Sequence, residues 1–266
     1  MSEHIQNLEA RLNCRLFDRL GRSILPTAEA EALYPRAIAI LEDLRRLEEE
    51  VGLARSTVSG QLLIGASTIP GAYILPGIAT LFKRRFPEIS FEIRIEDTAR
   101  IVAEVAANEL LLGVAGAKIP TARLKFQPLL DDQLILVAAA GNAAPAEVSV
   151  DELCRLPFIV RERGSGTRRS TEALLAGQQR SLEQLNICAT LGSSSAVKEA
   201  VRADLGVSVL SRLAVQRELA SGVLREIAIA GVDMKRSFYV VTAQKRTLPN
   251  HYLKFLEQLL ESTREA

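Results

Sequence analysis

The sequence predicts an α/β protein whose strand–helix part is preceded by a long amphipathic helix. Three observations lead there. From Gln61 onward, short apolar runs alternate with amphipathic stretches. Between Thr27 and Leu53, apolar residues recur in a heptad pattern. Before that lies one short helical pattern followed by an arginine-bearing ribbon. Strands alternating with helices imply mainly parallel sheets sandwiched by helices.

The first segment, Ser2–Leu12, places Ile5, Leu8 and Leu12 on one helical face. Ser2, His4, Gln6 and Asn7 crowd the polar faces, where a groove could be read. Cys14–Ile24 comes next as a short hairpin-like ribbon carrying Arg15, Arg19 and Arg22. Thr27 is a credible N-cap for the next element. After it, Ala30, Leu33, Ala37, Ile40, Leu44, Leu47 and Val51 step by three and four, which is a coiled-coil seam. A helix over this span is about 40 Å long at 1.5 Å per residue. Pro35 is tolerated only if it falls near the first turn; further in, it kinks the helix. An ordinary surface helix is the simpler alternative, but the narrow stripe and the charged opposite faces favour a dimer seam. The small polar run Ala54–Gly60 reads as a linker.

The strand–helix part opens with a buried strand at Leu62–Ile64. A helix spans Ala72–Arg85, then an alternating strand Phe91–Ile95 and a helix Ile101–Ala107. Buried strands are predicted at Leu110–Val114 and Leu134–Ala138, and further strands at Pro157–Val160, Ile187–Leu191, Val207–Leu210 and Phe238–Val241. Further helices fall at Ser170–Ala176, Ser195–Arg202, Leu213–Ala220 and Asn250–Glu261. Asp131 and Asp132 read as turn residues between two strands.

Composition bounds the function. The chain has 266 residues and a net charge of +1, so it carries no overall nucleic-acid signature, though a small DNA-binding element remains compatible. The scattered cysteines Cys14, Cys154 and Cys188 suit a reducing cytosol better than a disulfide framework. The charged start lacks a signal-peptide pattern, and no stretch is long and apolar enough to span a bilayer. A cytoplasmic protein with no membrane partner is expected. Catalysis has little support: His4 and His251 lie far apart, no cluster has metal-ligand spacing, and no Gly-x-Ser-x-Gly elbow occurs. Neither metal nor cofactor is expected, and no catalytic residue is assigned.

Three loops end a strand in small polar residues and open a helix: Gly65–Gly71, Gly164–Arg168 and Gly192–Ser195. Open α/β sheets bind ligands at the carboxyl ends of their strands. Helix N-termini with nearby hydroxyls suit a small anion or carboxylate. Ser67, Thr68, Ser165, Thr167, Ser194 and Ser195 are therefore the candidates. Arg161, Arg163, Arg168 and Arg169 support an anion if they face inward; otherwise they form a solvated face. Serine and threonine at helix starts also serve as plain caps. The Gly164–Arg168 loop lacks the P-loop lysine and spacing, which argues against a nucleotide.

The order of short helix, basic ribbon and long helix, with Ile5, Leu8-Glu9, Leu12, Leu16-Phe17, Arg19, Leu25 and Thr27 in place, resembles the end of the winged helix-turn-helix of LysR-type transcriptional regulators. The resemblance covers essentially the whole chain. It implies a partial winged helix-turn-helix over residues 1–26 (recognition helix and wing) and a linker helix over 27–53 through which two chains pair as homodimers or tetramers. Residues 60–266 would form a two-lobed, type 2 periplasmic-binding-protein-like effector domain. Lobe I would hold 60–136 and 233–266, and lobe II 137–232, with hinge strands near Leu134–Ala140 and Met234–Tyr239. It further implies that Gly116 and Lys118 border the effector cleft. Arg19 and Arg22 would contact DNA phosphate, and Ser2, His4, Gln6 or Asn7 would face base edges.

Within the family, Gly65–Pro76, Arg161–Arg168 and Leu191–Glu199 look most like regulators linked to sulfur or selenium metabolism, which implies a small anionic or sulfur-containing effector. Leu111 replaces the acid that the family carries before its fourth strand, and Ala30 replaces a glycine of the linker helix. If Met1 is the true start, the first two helices of the DNA-binding motif are missing, and this chain is then expected to bind operator DNA weakly or not at all. A stand-alone small-molecule binding protein of the same two-lobed fold is the alternative. The heptad helix and the Phe17–Arg22 ribbon argue against it.

Overall fold

The computed structural model describes the backbone of residues 3–20, 23–56 and 58–263, and the side chains of 4–18, 24–44 and 58–263. It divides into two compact units, Met1–Thr57 and Val58–Ala266.

In the first unit, α1 spans Glu3–Leu12. It ends at Asn13, whose φ of 52° puts an asparagine in the left-handed conformation that commonly closes helices. The carboxylate of Glu9 then accepts from the Leu16 and Phe17 amides at 2.7 and 3.3 Å, tying the helix to the start of the ribbon. Strands β1 (Phe17–Leu20) and β2 (Ser23–Pro26) pair antiparallel. Thr27 Oγ1 accepts from the Ala30 amide at 3.2 Å, the cap expected of it, and α2 runs over Ala28–Ser56. Pro35 lies inside this helix, near its start. Helix α2 ends at Ser56, so it takes in the front of the segment that reads as a linker.

The second unit begins with β3 (Gly60–Ser67), a π-helical turn at Pro70–Ile74 and α3 (Leu75–Arg85). Then come β4 (Ile89–Glu96), α4 (Thr98–Ala106) and β5 (Leu112–Ala115). Strand β6 is the longest, Leu124–Ala139. After it lie β7 (Glu147–Val148), α5 (Val150–Leu153), β8 (Phe158–Arg161) and α6 (Gly166–Gly177). A 3₁₀ turn at Leu182–Gln184 leads to β9 (Ile187–Leu191), α7 (Ser194–Arg202), β10 (Ser208–Ser211) and α8 (Arg212–Ala220). The unit closes with β11 (Leu224–Ile229), β12 (Met234–Ala243) and α9 (Asn250–Ser262).

Eight strands form one sheet in the order β4-β3-β5-β12-β6-β11-β7, with β10 also paired to β6, and β8 and β9 form a separate pair. The sheet is mixed, not mainly parallel as the alternation predicts. Parallel pairs β3–β4 and β3–β5 meet antiparallel ones, because β6 and β12 run against their neighbours. Strand β6 pairs with β12 along its first part, Leu124 to Leu134, and with β10 and β11 along its last part. One continuous strand therefore serves both halves of an α/β unit. Asp131 and Asp132 lie within this strand and not in a turn.

The core keeps the same division. Around β3, aromatic packing fixes the two helices that cover the sheet: Phe82 of α3 meets Phe255 of α9 edge-on at 5.3 Å between ring centroids. The Tyr252 hydroxyl accepts from the Leu63 amide at 2.9 Å, which pins α9 to β3. A second cluster, with Leu136, Phe158, Val160, Leu175 and Val209, fills the other half. The larger cluster reaches from Leu62 to Val197 and Leu210, so apolar packing is continuous along the shared strand.

Candidate functional site

Each wall of the site begins where a strand stops. Ser67 is the last residue of β3, and Thr68 comes directly after it. Asp97 caps α4 by accepting from the Arg100 amide at 2.9 Å, which leaves Thr98 at the first helical position. Gly116 succeeds β5 directly. On the facing half, Arg161 ends β8, and Ser165 caps α6. Ser193 caps α7, accepting from the Ala196 amide at 3.1 Å. Ser194 is thereby free to turn its hydroxyl elsewhere.

Ser67, Thr68, Asp97, Thr98, Gly116, Arg161 and Ser165 line one cleft together with Ile69, Gly166, Thr167, Arg236 and Phe238, and the start of α7 adjoins it through Ser194. The halves are in close contact. A Cβ on Gly166 would lie 2.9 Å from the backbone carbonyl of Gly116 and from Thr98 Oγ1, and one on Gly164 would strike the Asp97 carboxylate. The free volume left is about 10 Å³, room for about one water molecule.

Hydrogen bonds cross this closed cleft. Thr68 Oγ1 and Ser194 Oγ lie 3.1 Å apart. Arg161 Nη1 donates to Thr68 Oγ1 at 3.3 Å and also to Ser194 Oγ. Its Nε and Nη2 hold Glu162 at 2.7 and 2.6 Å. A second guanidinium comes from β12. Arg236 Nε donates to Asp132 Oδ2 at 2.8 Å and Nη1 to Thr167 Oγ1 at 3.1 Å. Ser211 Oγ donates to the other Asp132 oxygen at 2.7 Å. The Arg236 group stacks over the Phe238 ring at 4.8 Å. Burial lowers its proton affinity below the ordinary guanidinium value; Asp132 opposes that shift, and the charge on Arg161 adds to it.

Two buried polar atoms of this cleft have no partner among the described residues: Arg236 Nη2 and Ser67 Oγ. An unsatisfied buried donor costs about 1–3 kcal/mol, more when charged. The arrangement is thus a nearly saturated polar network with two atoms left to bond an acceptor.

Of the residues the sequence singles out, Ser67, Thr68, Gly116, Ser165 and Thr167 line the cleft. Ser194 is bonded to two of its groups. Lys118 and Ser195 are exposed and do not line it. Among the four arginines of the 161–169 run, Arg161 enters the cleft wall, while Arg168 Nη1 donates to the Arg161 carbonyl at 3.2 Å. His4, Gln6 and Asn7 are exposed on α1. Ser2, Arg22 and the side chain of Arg19 lie outside the described residues.

Thr98, Arg236 and Asp132 are absent from the sequence-derived set. Thr98 carries the same signal as the others, a strand end opening a helix. Arg236 shares strand parity with the buried Phe238 and Val240, and Asp132 with Leu134 and Leu136, so period two points both inward. The described residues include no cluster able to hold a metal ion.

The profile of the LysR substrate binding domain matches residues 55–264. The chain belongs to the LysR family. It is 31% identical over 258 residues to the uncharacterized HTH-type transcriptional regulator YeiE of Escherichia coli K12, covering 97% of this chain and 86% of that one. The CcmR regulatory domain of Synechocystis PCC6803, solved in complex with 2-PG, superposes with a TM-score of 0.70 at 27% identity, over 77% of this chain and 98% of that one. A full-length OxyR variant from Pseudomonas aeruginosa gives a TM-score of 0.74 at 20% identity over 98% of this chain and 88% of that one. Its likeness shows that this LysR-family chain shares the fold, including the two-lobed α/β effector domain. The relatives are transcriptional regulators rather than enzymes. No described helix is long and apolar enough to cross a membrane.

Proposed function

We propose that this chain is the sensing and pairing part of a cytoplasmic transcriptional regulator whose cleft binds a small anion. The observation that carries the reading is the pair of unpartnered buried atoms, Arg236 Nη2 and Ser67 Oγ, in a cleft flanked by the buried Arg161 and by the largely buried side chain of Arg236. An anionic oxygen placed between them would satisfy both. Charge-assisted bonds of this kind are the strong ones. Ser67, Thr68, Ser165, Thr167 and Ser194 would supply further donors. CcmR, with its bound 2-PG, supports a small-molecule ligand for this fold.

Because the closed cleft has little free space, the ligand enters by parting the halves, 60–136 with 233–266 against 137–232, about β6 and β12. It shifts the equilibrium only by its preference for one arrangement. Homodimers or tetramers formed through α2 would pass that shift to the DNA-reading segment. With the complete DNA-binding motif, Ser2, His4, Gln6 or Asn7 would face base edges there, and Arg19 and Arg22 would meet phosphate. A sulfur oxyanion is the finer assignment.

Thermal shift with sulfate, sulfite, phosphate and 2-PG tests this, with glucose as the neutral control. One of the anions raises Tm in the natural chain, and Ser67→Ala combined with Arg236→Lys removes the rise. A panel in which no anion acts, or in which the variant responds as fully as the natural chain, sinks the proposal.

A further inference from the structure

A second concavity lies at the opposite end of β12 from the cleft. It is formed where α4 stops, where β6 starts and where β12 ends, and it encloses about 520 Å³. That falls in the range of small-molecule sites, about 300–1,000 Å³. Arg236 and Ala243 are seven residues apart on β12, so the two sites are separated by about 23 Å of extended strand.

Its floor is apolar, with Leu124 and Ala106, while three cations, Arg123, Lys245 and Arg246, line it and no carboxylate does. The whole chain carries a net charge of +1, so three like charges on one concave surface are a local concentration. Concave surfaces lined by one sign of charge focus the field and gather counter-ions. Two further facts distinguish the place from a solvated basic face. Arg246 is already positioned: its Nη1 donates at 2.9 Å to the carbonyl of Asn108, a residue held at a φ of 62°. Gln244 Nε2 donates to the Leu124 carbonyl at 3.1 Å, locking the two strand ends together. Arg123 and Lys245, in contrast, have no ion pair or side-chain hydrogen bond among the described residues.

We propose that this basal pocket is a second ligand site, for a small molecule bearing two anionic groups such as a phosphorylated or dicarboxylic metabolite. Arg246 supplies the fixed donor, and Arg123 and Lys245 close on the second charge. The apolar floor accommodates the body between the charges. The site is independent of the cleft and of the function proposed for it.

Isothermal titration of the full chain with inorganic pyrophosphate, at constant ionic strength, tests the assignment. The natural chain binds it. Arg123→Gln combined with Lys245→Gln, which removes no internal contact and should leave Tm unchanged, weakens binding at least tenfold. Ser67→Ala combined with Thr68→Ala, in the cleft, leaves it intact. Absence of binding at millimolar pyrophosphate overturns the proposal, as does undiminished binding by the basal variant. Loss in the cleft variant instead would place the anion in the cleft and overturn it too. Displacement of pyrophosphate by a short duplex oligonucleotide would make the pocket a nucleic-acid contact and equally overturn it.

Discussion

The two units treat apolar side chains in opposite ways. In the unit from Val58 onward, most apolar positions expected to face inward do so: Leu62, Ile64, Phe82, Val114 and Phe255 are fully buried, although Leu81 of α3 is 52% exposed and Ile187 of β9 40%. In the unit ending at Thr57, Leu16 is buried, but many described residues of the same types stay in solvent. Tyr34 is 69% exposed, Ile40 68% and Leu41 60%. Hydrophobic periodicity reports which face is apolar; it does not report whether the chain's own fold covers that face. One unit is a core that closes on itself. The other leaves, among its described residues, an apolar surface along α2 that its own fold does not cover; Ile40 lies on the predicted heptad seam, and Tyr34 and Leu41 lie beside it.

The contrast can be broken most directly by paired substitutions. Phe82→Ala should cost about 3–5 kcal/mol in urea denaturation, the effect of a large buried cavity. Ile40→Ala should change the stability of the effector unit by no more than about 0.5 kcal/mol. Equal effects would mean that the exposed stripe contributes to folding as the core does.

Assembly sharpens the comparison further. Leu41→Glu with Leu44→Glu should weaken self-association by about thirtyfold or more, the scale of a lost hot spot of about 2 kcal/mol. Sedimentation velocity across a concentration series would read it. An unchanged distribution would remove α2 from the interface.

The smallest effect expected lies inside the second unit, at the partly buried bridge between Lys198 and Glu218, 2.8 Å apart. Burial raises the Glu218 titration, but the hydrogen bond and charge of Lys198 outweigh it and hold the carboxyl below its ordinary range. Its native value is depressed, so its share of stability is present above the unfolded titration and is lost as pH falls through the native one. Glu218→Gln should cost about 1 kcal/mol at pH 7, and the difference should fade from about pH 5 downward. A difference that grows on acidification would contradict the assignment.

Much of the fold is legible because local pattern and final environment agree. Strand β9 spans Ile187–Leu191 as its apolar run indicates. Helix α7 starts one residue before the expected Ser195, and α2 begins just after its threonine cap. Strand β6 reads too short from sequence, since the Asp131-Asp132 pair looks like turn chemistry. What keeps Asp132 in a strand is Arg236, which lies far away in sequence and neutralises it in the interior. No local reading contains that partner. Strand β11, Leu224–Ile229, and the short β7 and α5 escape the periodicity altogether. β11 gains its identity from pairing with β6 and β7.

The candidate cleft shows the same limit. Strand-end loops point to Ser67, Thr68, Ser165 and Thr167. Ser195 misses the cleft because Ser193, not Ser194, caps the helix, and that choice rotates Ser195 outward. Arg236 is hidden because it stands in Lys235-Arg236-Ser237, a polar strand end that reads as solvated, and only its parity marks it as inward.

The two glycines that face each other across the cleft set how far its walls can meet. Gly166 has no side chain where one would press on the Gly116 carbonyl. A single methyl at position 166 would act as a doorstop, holding the jaws slightly apart whatever occupied them. The close meeting of the two halves therefore depends on a hydrogen atom standing at position 166 where any other residue carries carbon.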